Sequence, residues 1–148
     1  MAIILEGIDG MGKTTYARKL SNFLNLPYIY FPRPKHKEQN TEEWIRYAFK
    51  LMRDYKENFK NFILDRSVIS SVVYSYDYYN NYKEALKQVI DMGYYVIFMM
   101  PKTDRYADFL FIHRYWEVAH LLQEYNPNAV HIQVSERYEY PDTPIKFE

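Results

Sequence analysis

The apolar run AIIL at residues 2–5 leads straight into EGIDGMGKTT at residues 6–15, and this junction constrains the fold more than any other part of the chain. A short run of branched apolar residues closed by a glycine turn is the pattern of a parallel strand covered on both faces. Gly7, Gly12, Lys13 and Thr14 satisfy the spacing G-x-x-x-x-G-K-[ST]. Glycines let the backbone wrap closely, so several N–H groups converge on phosphate oxygens. A helix opening near Lys13 adds its positive end. In such a loop the lysine reaches the β- and γ-phosphates of a nucleotide, and the Thr14 hydroxyl turns to Mg2+. The candidates for binding ATP, the phosphoryl donor, are Gly7, Asp9, Gly10, Met11, Gly12, Lys13, Thr14 and Thr15. A strand before the motif and a helix after it separate this reading from a chance glycine turn.

The remainder alternates in the same manner. The first helix shows Ala17, Leu20 and Leu24 on one face and ends before Pro27. Residues 28–31 read as a second strand, closed by Pro32 and Pro34. Asn40 with Glu43 three residues on is a helix-start signature, followed by a stripe of Trp44, Ala48, Leu51 and Tyr55. Residues 59–64 form a third strand that ends on Asp65, and helical segments then run to about Met92, with Gly93 as the stop. A fourth strand covers residues 94–99. A long helix over 104–125 turns Phe109, Ile112, Trp116, Ala119 and Leu122 inward, and a fifth strand covers 129–134. Strands alternating with helices predict an α/β chain of the P-loop NTPase type. It has three layers, with a five-stranded parallel sheet between helices, in one domain over residues 1–148.

Composition narrows the classes of function. Nineteen basic residues balance nineteen acidic ones, without the basic excess of a general nucleic-acid binder. The absence of cysteine excludes disulfides, thiolate catalysis and cysteine-based zinc sites. His36, His113, His120 and His131 are scattered, without the i,i+4 pairing of a helical metal site. AIIL is too short for the apolar region of a signal peptide, and no apolar run approaches the ~20 residues that cross a bilayer. A soluble, cytoplasmic protein with no membrane partner is expected.

The acceptor of the phosphoryl group is read from the residues that follow strands two and three, since ligands of open α/β sheets sit at the strands' carboxyl ends. Those residues are Pro32-Arg33-Pro34-Lys35 and Asp65-Arg66-Ser67. Guanidinium groups facing an acceptor imply one that is already anionic, because each can grip a phosphate with two hydrogen bonds. A neutral hydroxyl acceptor would instead call for a carboxylate base, and no acid follows strand two until Glu38. A phosphate needs no strong base, so positioning and charge neutralisation suffice. Asp9 is out of place in an anion loop, which suggests a hydrogen bond to a sugar hydroxyl or to a Mg2+-bound water; the alternative is a turn residue chosen for its backbone. Arg33 can also be read as a solvated loop residue. Asp65 can support Mg2+ through water while capping the next helix. Phe31 is either a stacking surface for a base or a strand-end core residue.

These stretches resemble thymidylate kinases. EGIDGMGKTT is similar to that family's phosphate loop, including the acid at Asp9, and FPR at residues 31–33 resembles the segment whose arginine binds the acceptor phosphate. DRSVISSVVYS at residues 65–75 resembles the third-strand segment, and DRYADFLFIHRYWEVAHLL at 104–122 the end of the lid and the helix after it. The resemblance implies that Arg66 contacts the acceptor phosphate, Ser70 with Ser71 approaches the base, and Tyr74 excludes a ribose 2′-hydroxyl. It also implies a deoxynucleoside monophosphate acceptor, dTMP foremost, and a homodimer. Only Pro101, Lys102 and Thr103 precede the lid-like DRY, so most of the family's lid is missing. Gly10 stands where some members carry a catalytic arginine, which leaves Arg105, then Lys102, to supply that charge. Ser67 replaces a common aromatic residue, which leaves the base preference open. The catalytic candidates are thus Lys13, Asp9, Arg105 and Arg66, with Thr14 and Asp65 for the metal. DRSV also resembles deoxynucleoside kinases, and a nucleotide-binding regulator without turnover is the third reading.

Overall fold

A computed structural model describes residues 1–34, 41–102 and 109–135. Ala2–Glu6 is strand β1, and all five of its residues are buried. After it come helix α1 (Lys13–Leu24), β2 (Tyr28–Tyr30), α2 (Glu42–Phe59), β3 (Phe62–Asp65) and the short α3 (Val68–Val73). Then follow α4 (Tyr79–Tyr82), a 3-10 turn at Glu84–Leu86, α5 (Lys87–Asp91), β4 (Tyr94–Pro101), α6 (Phe109–Tyr125) and β5 (Val130–Ser135). The strands lie in the order β2-β3-β1-β4-β5, and each neighbouring pair is parallel. This is the expected five-stranded parallel sheet with flanking helices.

The order places β1 at the centre, between β3 and β4, with Leu5 in register with Asp65 and Ile97. The chain builds one side of the sheet with β2 and β3, then returns past β1 to add β4 and β5. Such a reversal opens a crevice at the carboxyl ends of the strands. Everything that follows β1 and β3 in sequence, namely the glycine loop and Asp65-Arg66-Ser67, therefore meets at one end of the sheet.

Several element boundaries and faces differ from the sequence reading. The cap of α2 is Thr41, whose hydroxyl accepts from the Trp44 N–H at 3.2 Å; Asn40 lies outside the described residues. The buried face of that helix is Ile45, Ala48, Phe49 and Met52, whereas Trp44, Leu51 and Tyr55 line its margin. Both stripes have helical spacing, but an indole N–H must find an acceptor, and Trp44 Nε1 donates to Ser71 Oγ at 2.9 Å from the edge. The helix runs on through Phe59, so β3 begins only at Phe62, after Lys60 takes a positive φ of 60°. On α6 the buried residues are Ile112, Tyr115, Val118, Ala119 and Leu122, with Trp116 at the margin against the His120 ring. Residues 104–108 and the Phe109 side chain lie outside the described residues.

Candidate active site

The glycine loop is held from beneath by apolar anchors and from the side by backbone. Ile8 and Met11 are buried, and Gly7 leaves β1 with φ 142°. A Cβ on Gly7 would stand 2.3 Å from the Met99 carbonyl oxygen of β4, so only glycine lets the loop depart there. Gly12 caps α1 in the left-handed region at φ 77°, without a side-chain hydrogen bond and with no acidic residue in the first helical turn. The positive end of α1 is thus left uncompensated, as an anion site requires.

Lys13 is buried in this loop and donates from Nζ to the Ile8 carbonyl at 2.6 Å. Burial pushes its ammonium down to about 8, and the nearby Arg66 guanidinium adds to this against the opposing pull of Glu6, Asp9 and Asp65. Next to it, Thr14 Oγ1 donates to Asp65 Oδ2 at 2.7 Å, and the Tyr28 hydroxyl donates to the same oxygen at 2.5 Å. The other carboxylate oxygen, Asp65 Oδ1, is buried without a partner among the described residues. An orphaned carboxylate oxygen beside a threonine hydroxyl at a phosphate loop suits a hard cation with water ligands. Arg18 covers the outer face of Tyr28, its guanidinium carbon 4.5 Å from the ring centre.

Beside the loop lies a cleft of about 400 Å³ lined by both charged and aromatic residues. Among the charged residues, Asp9 bonds to Arg66 and lies 3.8 Å from Arg33. The Arg66 side chain is only 7% exposed, against 53% for Arg33 and 70% for Asp9. Arg66 takes φ 69° at the joint between β3 and α3, and its N–H donates to Leu5 O at 3.0 Å, which ties the turn to β1. Burial opposes its charge, but Tyr115, Glu6, Asp9 and Tyr74 outweigh that and hold the guanidinium more firmly protonated than usual. Among the aromatic residues, Tyr74 packs on Phe111 with ring centres 4.6 Å apart, and Tyr76 meets Phe111 edge-on at 5.8 Å. Burial pushes the Tyr74 hydroxyl up to about 12, against the opposing pull of Arg66, so it stays a neutral donor at working pH. Phe31 is buried, as a strand-end core residue is, and set edge-on to Tyr55 at 6.1 Å; it also lines the cleft.

The fold brings Lys13, Thr14 and Asp65 together at the loop, and Asp9, Phe31, Arg33, Arg66, Ser70, Ser71 and Tyr74 around the cleft. Ser70 and Ser71 line the cleft with their hydroxyls already engaged, the first on Glu6 and the second by Trp44. Gly10 takes φ 85°, and Thr15 is exposed on α1. Arg105, Lys35 and Glu38 lie outside the described residues. Sequence reasoning missed Tyr28, Tyr76, Phe111 and, above all, Glu6. The Glu6 carboxylate is fully buried at the end of β1 and accepts from Ser67 Oγ, the Ser70 N–H, Ser70 Oγ and the Tyr115 hydroxyl. Its signal was visible: a lone acid inside an otherwise apolar central strand has to be paired somewhere.

No family model matches the chain. Over 101 residues it is 36% identical to a protein of Acidianus bottle-shaped virus (isolate Italy/Pozzuoli) named "Putative thymidylate kinase". That match covers 62% of this chain and 62% of the viral protein, so the chain spans less than two thirds of its relative's length. Among solved structures it is similar to thymidylate kinase from Ehrlichia chaffeensis, at TM-score 0.62 and 19% identity over 96% of this chain and 91% of the other. It is also similar to the YorR protein of Bacillus subtilis, solved with phosphorylated GDP, at TM-score 0.58 and 23% identity over 92% and 85% of the two chains. Shikimate kinase from Aquifex aeolicus gives TM-score 0.58 and 19% identity over 95% and 88%. The chain has the fold of the P-loop kinases and resembles the thymidylate kinases in sequence.

Proposed function

We propose that this chain transfers the γ-phosphoryl group of ATP to the phosphate of a deoxynucleoside monophosphate, dTMP foremost, to give the diphosphate. The observation that carries the reading is the pair Arg33 and Arg66, which share one cleft with Phe31, Tyr74, Tyr76 and Phe111, beside the phosphate loop. Guanidinium groups and aromatic rings in one cleft suit a phosphorylated aromatic base, and the loop supplies the second phosphate site. The viral relative's name supports the same reading.

In this scheme the loop amides and Lys13 neutralise the transferring phosphoryl group, Arg66 and Arg33 hold the acceptor phosphate, and Tyr74 borders the sugar. Asp9, freed from the two arginines by the incoming phosphate, is available to a sugar hydroxyl. Arg105 is proposed as a further cation for the transfer. Thr14 and Asp65 would hold Mg2+, which, when bound with ATP, neutralises charge on its phosphates. No general base is needed, because the attacking oxygen is already charged. A homodimer and a cytoplasmic location complete the proposal.

The test is phosphoryl transfer by the purified protein with ATP and Mg2+, each deoxynucleoside monophosphate and each deoxynucleoside being offered in parallel. Diphosphate from dTMP is expected. Product from nucleosides alone would overturn the phosphorylated acceptor in favour of nucleoside kinase chemistry. Bound ATP without any product would move the chain to the regulators.

A further inference from the structure

We infer that Glu6 is a positioning residue that sets Arg66 for the acceptor phosphate, acting through the Ser70 hydroxyl that bridges the two side chains. The inference rests on the proposed role of Arg66. Arg66 Nη1 donates to Ser70 Oγ at 3.4 Å, and Ser70 Oγ in turn donates to Glu6 Oε1 at 2.6 Å. The serine oxygen therefore accepts from the arginine and gives its own proton to the carboxylate, a one-way relay that only an anion or an amide at position 6 can anchor.

The rest of the Glu6 shell explains why the relay is stiff. Oε2 accepts from Ser67 Oγ at 2.6 Å and from the Ser70 N–H at 3.0 Å. Those two bonds fasten the first turn of α3 to the end of β1. Ser67 Oγ also accepts from the Ile69 N–H at 3.1 Å, so the side chain that caps α3 is itself held by Glu6. Oε1 takes a further bond from the Tyr115 hydroxyl at 3.1 Å, which brings in α6. Arg66 stands between these fixed points with its backbone in the left-handed region, where an arginine persists only because its surroundings demand it. Glu6 itself does not line the cleft, whereas its partners Ser67 and Ser70 do, so it acts on substrate only through the side chains it holds.

Glu6→Gln separates hydrogen bonding from charge. Its amide oxygen can keep the bonds from Ser67 Oγ and the Ser70 N–H, while its amide nitrogen reverses the bonds to the Ser70 and Tyr115 hydroxyls and leaves Ser70 Oγ a lone pair for Arg66. Glu6→Ala keeps none of these. The experiment measures dTMP and ATP affinities by calorimetry, with steady-state kinetics, for Glu6→Gln, Glu6→Ala, Ser70→Ala, the double variant Glu6→Ala/Ser70→Ala, and Arg66→Ala as reference.

Ser70→Ala and Glu6→Ala are each expected to weaken dTMP about tenfold and to leave ATP affinity within about twofold. The double variant is expected to bind dTMP no worse than Glu6→Ala alone, since both changes cut one relay, and Glu6→Gln to stay within about threefold of the parent. Additive losses in the double variant, equal losses for ATP and dTMP, or a Ser70→Ala variant that binds dTMP as the parent does would each overturn the inference. The last result counts even where Glu6→Ala does not fold. If Arg66→Ala itself leaves dTMP affinity intact, the proposed function falls and takes this inference with it. If Arg66→Ala weakens dTMP while the Ser70 and Glu6 variants do not, only this inference falls.

Discussion

Lys13→Met should abolish phosphoryl transfer and, at the same time, make the empty protein more stable. The Lys13 side chain lies within the phosphate loop, and burial together with Arg66 pushes its ammonium from the ordinary 10.5 down to about 8. Below pH 8 the group is charged in both the folded and the unfolded chain, and the folded chain carries the cost of that buried charge. The difference between about 8 and 10.5 corresponds to about 3 kcal/mol. Methionine fills a similar volume without the charge but forfeits the bond to Ile8 O, which contributes about 1 kcal/mol. The net expectation is a gain of about 2 kcal/mol at pH 7, read as a rise of roughly 1 M in the urea midpoint. The sign with pH follows from proton counting. Between 8 and 10.5 the unfolded chain holds more protons than the folded one, so wild-type stability rises with pH across that window. The Met variant lacks this rise, and its advantage shrinks from pH 8 upward. Paired urea melts at pH 7 and pH 10 decide the matter. A variant less stable than wild type at pH 7, or an advantage equal at both pH values, refutes the reasoning that this lysine is held charged against its burial.

Three further changes test other parts of the site. Tyr28→Phe removes one of two donors to Asp65 Oδ2 and should raise the Mg2+ concentration needed for tight ATP binding about fivefold; unaltered Mg2+ dependence in a fluorescence titration would separate Asp65 from the metal. Asp9→Asn removes the carboxylate that competes for Arg66 and Arg33, so inorganic phosphate should inhibit at roughly several-fold lower concentration. Weaker phosphate inhibition would mean that Asp9 orders the arginines instead of occupying them. Gly7→Ala places a methyl group 2.3 Å from Met99 O at φ 142° and should cost at least about 2 kcal/mol, lowering Tm by roughly 5 °C or more. A melting point within a degree of wild type would show that the loop can shift off β4.

What was legible in the sequence was whatever could be stated within a few consecutive residues. The phosphate loop needs only Gly7, Gly12, Lys13 and Thr14 at fixed spacing, and its strand and helix lie on either side. Arg33 and Arg66 were singled out because ligands of open parallel sheets gather at strand ends, so the residue after a strand carries positional meaning without any long-range contact. The face of α2 was misjudged for a different reason. Trp44 and Tyr55 are large enough to suggest a core stripe, yet a polar atom on each ring draws it to the margin, and Ile45, Phe49 and Met52 join the expected Ala48 in the interior.

The machinery behind the site was hidden because its bonds span the chain. Glu6 meets Ser67 across 61 positions and Tyr115 across 109, while Thr14 and Tyr28 meet Asp65 across 51 and 37. No local pattern encodes such a pairing; only the strand order does, by setting β1 beside β3 and so placing residues 6 and 65–70 side by side. The same order explains why the loop and the cleft are coupled. Leu5 and Asp65 are register partners, and each is followed by a functional turn, the glycine loop after Glu6 and the Arg66 joint after Asp65. A displacement of β3 by one residue along β1 would carry Asp65 away from Thr14 and Ser70 away from Glu6 at once. The proposed donor and acceptor ends of the site are therefore specified by a single strand pairing, whose register is set by the fully buried residues Ile3, Ile4, Ile63 and Leu64.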